Sequence, residues 1–299
     1  MTVITAQAIS SLAFELLSRT LVLPRTVARP PGGEFTGPNG ATLTVRVRQT
    51  RTAQEQESPG APIDYVGIDE KSVDVTLGHL YDATRITDED LSLAIQDFGA
   101  QVTAPQVQAI ALGAEDKLAA TMNDLAIDLA VNVSDATDVE GAVLAAREQL
   151  TRDGCPAGGR WLAVSPEFAT PLLSLDKFSR VDASGSTSAL RDAVLGKVYG
   201  LNVVESAALD PGTAIAYHET GFVVANRPPA LPQGASNAAT ENRDGIALRV
   251  LFDFDPGVLS DVTVVSTFAG AAVVYEDGDG IEGETERPRS IKLGEPTSS

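Results

Sequence analysis

An α+β fold is predicted by three observations. Two segments, residues 41–49 and 71–77, alternate apolar and polar side chains with the period of a strand. A long run, residues 105–125, spaces its apolar residues along one face of a helix. Beyond it, strand-like segments at 160–164, 201–205, 213–218, 221–226, 246–255 and 261–275 are mixed with short helical ones. The chain has 299 residues, 43% of them hydrophobic, enough for a substantial core in one large domain or two smaller ones.

Residues 5–18 place Ile9, Leu12, Ala13, Leu16 and Leu17 on one face of a helix. Pro24, Pro30, Pro31, Gly32 and Gly33 then break regular structure. A helix on such a tether suits an arm that packs on another surface, its own domain or a neighbour's. In 41–49, Leu43, Val45 and Val47 face one way, and Thr42, Thr44, Arg46 and Arg48 the other. In 71–77, Val73, Val75 and Leu77 oppose Asp74 and Thr76. The polar, Pro- and Gly-containing stretch between them is longer than a usual hairpin loop, so the pair predicts a projecting hairpin. Two strands alone are marginal in water; the apolar face needs cover from its own body or from a neighbour.

Thr87 with Asp90 approximates a capping box and predicts a short helix ending near Gly99. In the next helix Val107, Ile110, Ala111, Ala114, Leu118, Met122 and Leu125 form the apolar face, and Pro105 fits its first turn. A helix over 136–150 carries Val139, Val143, Leu144 and Leu150. Arg160 to Val164 reads as a buried strand, followed by a helix with Ser165 as N-cap and Pro166 at its first position. Residues 182–188 are a polar loop, with Ser188 placed to cap a helix over 189–197. Pro228, Pro229, Pro232 and Gly234 open another loop. From Glu276 the chain is charged and Gly-rich and reads as a flexible acidic tail.

The formal charge of −19 argues against general nucleic-acid binding, which needs clustered Lys and Arg to neutralise phosphates. The charge is uneven. Residues 1–51 hold six arginines (19, 25, 29, 46, 48, 51) against Glu15 and Glu34, so they carry +4 and the remainder −23. This is either a solvated face with local imbalance or a basic arm lying on the acidic body of a neighbour. Cys155 is the only cysteine, so no internal disulfide forms. The first twenty residues lack the basic start and cleavage site of a signal peptide, and no run of about 18 apolar residues occurs. Synthesis in the cytoplasm is expected.

The catalytic inventory is thin. His79 and His218 are the only histidines, too few for a standard zinc site with one cysteine. Ser165 is followed by Pro166, which lacks the N–H that a nucleophile elbow uses in its oxyanion hole. The run from Asp277 to Glu284 fails the calcium-loop pattern, because Ile281 and Glu282 stand where an oxygen ligand and glycine are needed. No phosphate-binding glycine loop is present.

The order of elements from Lys71 to Met122 resembles the major capsid proteins of tailed double-stranded-DNA phages. The matching phrases are Thr87-Asp88-Glu89-Asp90-Leu91, Leu93-Ala94-Ile95, Asp97-Phe98 and Pro105. Later segments are similar too: Gly159 to Phe168, Val194 to Ser206, Ala247 to Val250, and Asp253-Phe254-Asp255. The resemblance covers roughly residues 1–275 and lies in order and spacing more than in any single phrase.

It implies the Hong Kong 97-like capsid fold, in the branch made without a long N-terminal scaffold segment and without an inserted domain. The expected parts are an N-terminal arm (1–35), an extended loop (36–80), a peripheral domain with a long spine helix (81–130 and 244–277), an axial domain (131–243), and an acidic flexible tail (278–299). It further implies hexamers and pentamers closing into an icosahedral shell around double-stranded DNA, with scaffolding and portal proteins as partners. Neither a cofactor nor a membrane is expected. The location implied is the virion, after synthesis and assembly in the host cytoplasm. The candidate inter-subunit residues are Arg46, Arg48, Arg51, Val45, Val47, Val73 and Val75. Arg46 or Arg48 has a local alternative partner, Asp74, across the hairpin. The lysine–asparagine crosslink of some members is not carried over, because Lys71 starts a strand and does not sit at the loop tip. Two rival readings remain: an α/β hydrolase-like enzyme using Ser165 and His218, and another virion, tail or surface-layer structural protein.

Overall fold

Two sheets and one long helix organise the computed structural model, which describes residues 22–29, 42–47, 56, 58, 62, 65, 71–87, 89, 99–175, 194–234, 237–243, 246–276 and 287–295. The predicted helix over 5–18, most of the hairpin tip, most of the helix after Thr87, the loop 182–188 with Ser188, and the run 277–284 lie outside the described residues.

The first sheet runs in the order β10 (Asn237–Arg243), β11 (Ile246–Asp255), β12 (Ser260–Val273), β3 (Gly78–Thr87), and β9 (Phe222–Arg227) pairs with the far end of β12. All these pairings are antiparallel. The long helix α1 (Ala104–Asn123) lies on one face of this sheet. Val107, Ile110, Ala111 and Ala114 pack there on Leu248, Val250, Val265 and Ala269. Pro105 sits in the first turn of α1, directly after a π turn, Gly99–Thr103, that runs into the helix.

The second sheet has the order β4 (Leu129–Ala130), β15 (Ser290–Gly294), β8 (Ala214–His218), β5 (Arg160–Val164), β7 (Leu201–Glu205), β6 (Val194–Val198). It is covered on both faces, which is why β5 and β8 read as unbroken apolar runs. On one face Leu162, Val164, Ala214, Ala216, Leu201 and Val203 meet α2 (Ala136–Arg152) and α3 (Pro166–Leu173). On the other face Ala163, Val204, Ile215 and Tyr217 meet the last turns of α1 at Leu118, Ala119 and Met122, with Leu23 and Val27 from the N-terminal segment. One helix therefore fills two cores.

Several expectations are corrected. Residues 78–87 form a ten-residue strand that leads to helical Glu89; the start of that helix lies mostly outside the described residues. The inner face of this strand carries polar groups that hid it. Gln106 Nε2 on α1 donates to the half-buried Thr84 Oγ1 (3.2 Å) and to the buried Thr263 carbonyl (3.2 Å), which satisfies both under the helix. Residues 194–198 are strand β6, not the end of a helix. They turn back on β7 through Tyr199 (φ 48°) and Gly200 (φ 88°), the two positive φ values that a tight hairpin requires. Strand β10 forms where only a loop was expected. Leu144 is exposed, and Ala146 takes its place on the buried face of α2. The acidic tail is not simply a tail: β15 is fully buried between β4 and β8 in the second sheet.

Candidate assembly surfaces

β1 (Thr42–Val47) and β2 (Lys71–Thr76) form the expected hairpin, in antiparallel register from Thr42↔Thr76 to Val47↔Lys71. Its base is held by the chain's own body. Val45 and Val75 are buried against Val223, Ala225 and Val274, with half-buried Leu43 and Val73 beside them. The fit is tight: a Cβ on Gly270 of β12 would stand 2.2 Å from the Thr76 carbonyl oxygen. Val45 and Val75 thus belong to the subunit's own core, which answers where the hairpin's apolar face finds its cover at the base.

The polar face is set by register. Thr44 lies opposite Asp74 and donates its hydroxyl to Asp74 Oδ1 at 2.7 Å, and Arg46 lies opposite Ser72. Val47 lies opposite Lys71. Arg48 and Arg51 fall outside the described residues.

A second surface escaped the sequence reading. The end of β11 and the turn to β12 expose three large apolar side chains: Phe254 (48% exposed) on the strand, and Val258 (51%) and Leu259 (63%) in the turn. Leu259 holds φ at +47°, a conformation unfavourable for a branched side chain. Asp255 braces the turn, accepting from the Gly257 N–H at 3.0 Å and standing 3.6 Å from the Arg85 guanidinium. The available signal was the placing of Val258-Leu259 directly after Pro256-Gly257, in a turn too short to bury them.

The enzymatic rival finds no support in the geometry. Ser165 is buried, and its Oγ accepts from the Phe168 N–H at 3.3 Å as the N-cap of α3. Its N–H bonds the Thr213 carbonyl at 3.0 Å, whereas His218 sits at the other end of β8, opposite Arg160. Five residue steps along β8 separate Thr213 from His218, about 16 Å, so the serine and the imidazole do not meet. His79 is exposed on β3 and stacks on Phe268 with ring centroids 4.7 Å apart. Cys155 is buried in the turn after α2. Among the described residues no group of three metal-ligating side chains occurs, and no helix is long and apolar enough to cross a membrane.

Comparison with known proteins agrees with a shell subunit. A family model described as phage capsid protein matches residues 70–274. Among curated proteins none matches. A solved structure from Mycobacterium phage Che8 superposes with a TM-score of 0.61 at 20% identity, covering 91% of this chain and 90% of that one. The head structure of Helicobacter pylori bacteriophage KHP40 gives 0.60 at 11% identity, covering 90% and 86%. A virus-like particle from Pyrococcus furiosus gives 0.56 at 10% identity, covering 95% and 97%. These likenesses carry the fold, and it is the α+β, Hong Kong 97-like capsid fold. With over two thirds of its length inside the matched region, the chain belongs to the phage capsid protein family.

Proposed function

We propose that this capsid protein self-assembles into hexamers and pentamers that close into an icosahedral head shell around double-stranded DNA. The observation that carries the reading is the fold match over about nine tenths of both chains in solved phage structures, one of them a phage head. In this reading residues 1–35 are the arm, 36–80 the extended loop, 81–130 and 244–277 the peripheral domain with α1 as spine, and 131–243 the axial domain, to which β15 is added. Scaffolding and portal proteins are the partners, and the virion is the location.

The contacts are made by burial and charge, not by chemistry. Arg46, Arg48 and Arg51, with Val47 and Val73, are the hairpin's candidates for a neighbour, since Val45 and Val75 are used at home. The apolar surface at Phe254, Val258 and Leu259 is a further candidate, because large exposed apolar groups held together mark contact sites. The net charge of −23 outside residues 1–51 supports a shell that repels the DNA it encloses. Negative-stain microscopy and size-exclusion of the purified chain test the proposal. Shells or capsomers are expected; a compact monomer that hydrolyses esters would replace this reading with the enzymatic one.

A further inference from the structure

Four other chain segments converge on the turn that joins β8 to β9, and so joins the two sheets. The His218 N–H donates to the Arg289 carbonyl (3.1 Å), the Glu219 N–H to Gly159 (2.9 Å), the Ala28 N–H to Glu219 (2.7 Å) and the Val274 N–H to Gly221 (2.9 Å). The turn closes on itself through the Gly221 N–H and the His218 carbonyl at 2.7 Å. Only glycine fits at 221, where a Cβ would stand 2.7 Å from the Arg289 oxygen.

His218, 5% exposed as a residue, lies at this junction. Its Nδ1 accepts from the Thr220 N–H at 3.2 Å and lies 2.8 Å from Thr220 Oγ1. That hydroxyl oxygen accepts from Arg289 Nη1 at 3.0 Å and keeps its own proton free to donate to Nδ1, beside the Thr220 N–H already aimed there. A nitrogen with two donors aimed at it is an acceptor, so the ring is neutral with its proton on Nε2. A proton on Nδ1 would set N–H against N–H beside the Arg289 guanidinium. Burial first, then Arg289, and more weakly Arg160, hold the His218 pKa below its ordinary value; Glu219 and the Gly158 backbone act the other way.

We propose that His218 is a proton-sensitive latch. Neutral, it closes the turn that ties the two sheets to each other and to the segment at Ala28; protonated, it opens that turn and loosens all three. The folded ring holds a proton less tightly than an unfolded histidine. The latch is therefore intact above the ordinary value of 6.5 and weakens as pH falls below it. The device lies within one chain and does not rest on the assembly reading.

Two measurements on the full chain test it. With His79→Gln, the imidazole nitrogen spectrum reports His218 alone. An Nε2–H tautomer that titrates below pH 6.5 is expected; an Nδ1–H tautomer, or a midpoint at or above 6.5, overturns the proposal. Amide exchange, corrected for intrinsic rate, is then followed from pH 7.5 to 5. Protection at Ala28 and at Glu219 to Val224 is expected to fall by up to about tenfold per pH unit below the ordinary histidine pKa. In His218→Asn, whose Oδ1 replaces Nδ1 as acceptor, it should stay level. Equal loss in both proteins sinks the latch. Should the variant fail to fold, the imidazole titration of the native histidine decides alone.

Discussion

The ammonium of Lys292 sits 2.5 Å from the carbonyl oxygen of Asn123, the last residue of the spine helix. Lys292 belongs to β15 and is only 4% exposed. A cation at a helix C-terminus meets the partial negative charge of the unpaired carbonyls there. Asn123 continues the link, its Oδ1 accepting from the Asp210 N–H (3.1 Å) and its Nδ2 donating to the Ala208 carbonyl (3.2 Å). The C-terminal strand thereby fastens the spine helix to the second sheet.

Lys292→Met keeps the buried stem and removes the donor. It should cost about 1–3 kcal/mol, the penalty for a buried carbonyl left unsatisfied. Urea denaturation at pH 7 checks this, with the m-value unchanged because the fold is the same. A loss below a few tenths would mean that water replaces the ammonium.

Leu118→Ala should cost about 2–5 kcal/mol, because Leu118 is fully buried between the spine helix and the second sheet. Leu112→Ala, on the same helix but 53% exposed, is the control and should stay within about 0.5 kcal/mol. Equal losses would mean that the helix does not bury the face described.

Ser165→Ala should cost about 0.5–2 kcal/mol as a lost helix cap. Thermal melting measures it. An esterase or peptidase activity abolished by this change would contradict a structural role for the serine.

Leu259→Asn suits the positive φ better than leucine does, since asparagine tolerates that region. The monomer should melt at the same temperature or slightly higher, while shell yield by sedimentation falls as an apolar contact is lost. Unchanged yield would remove this turn from the contact surfaces.

Arg46→Glu with Arg48→Glu should lower shell yield and leave monomer melting nearly unchanged. Exposed ion pairs are each worth about 0–1 kcal/mol, and many recur over a shell. Assembly of the native chain should then weaken as salt rises past about 0.1 M, where such pairs are screened within about 10 Å. An equal loss of monomer stability would place these arginines within their own hairpin.

Much of this was legible in the chain itself. The period of Val107, Ile110, Ala114, Leu118 and Met122 determined the spine helix and its buried face. Alternation in 42–47 and 71–76 determined the hairpin, and Ser165-Pro166 determined where a helix starts. These are local signals, set by side-chain spacing and capping. What only the tertiary structure decided lay wherever a partner distant in sequence changed the meaning of a residue. Thr84 is an inner strand position because Gln106, 22 residues on, satisfies it. Residues 194–198 are the local exception: they are extended because the Tyr199-Gly200 turn folds them back on Leu201 to Val204. Ile291 and Leu293 are core because β8 and β4 flank them, and Lys292 tolerates burial because the spine helix ends at its ammonium. No local pattern encodes a neighbour more than a hundred residues away, so a short charged segment that reads as a tail becomes an inner strand of a sheet.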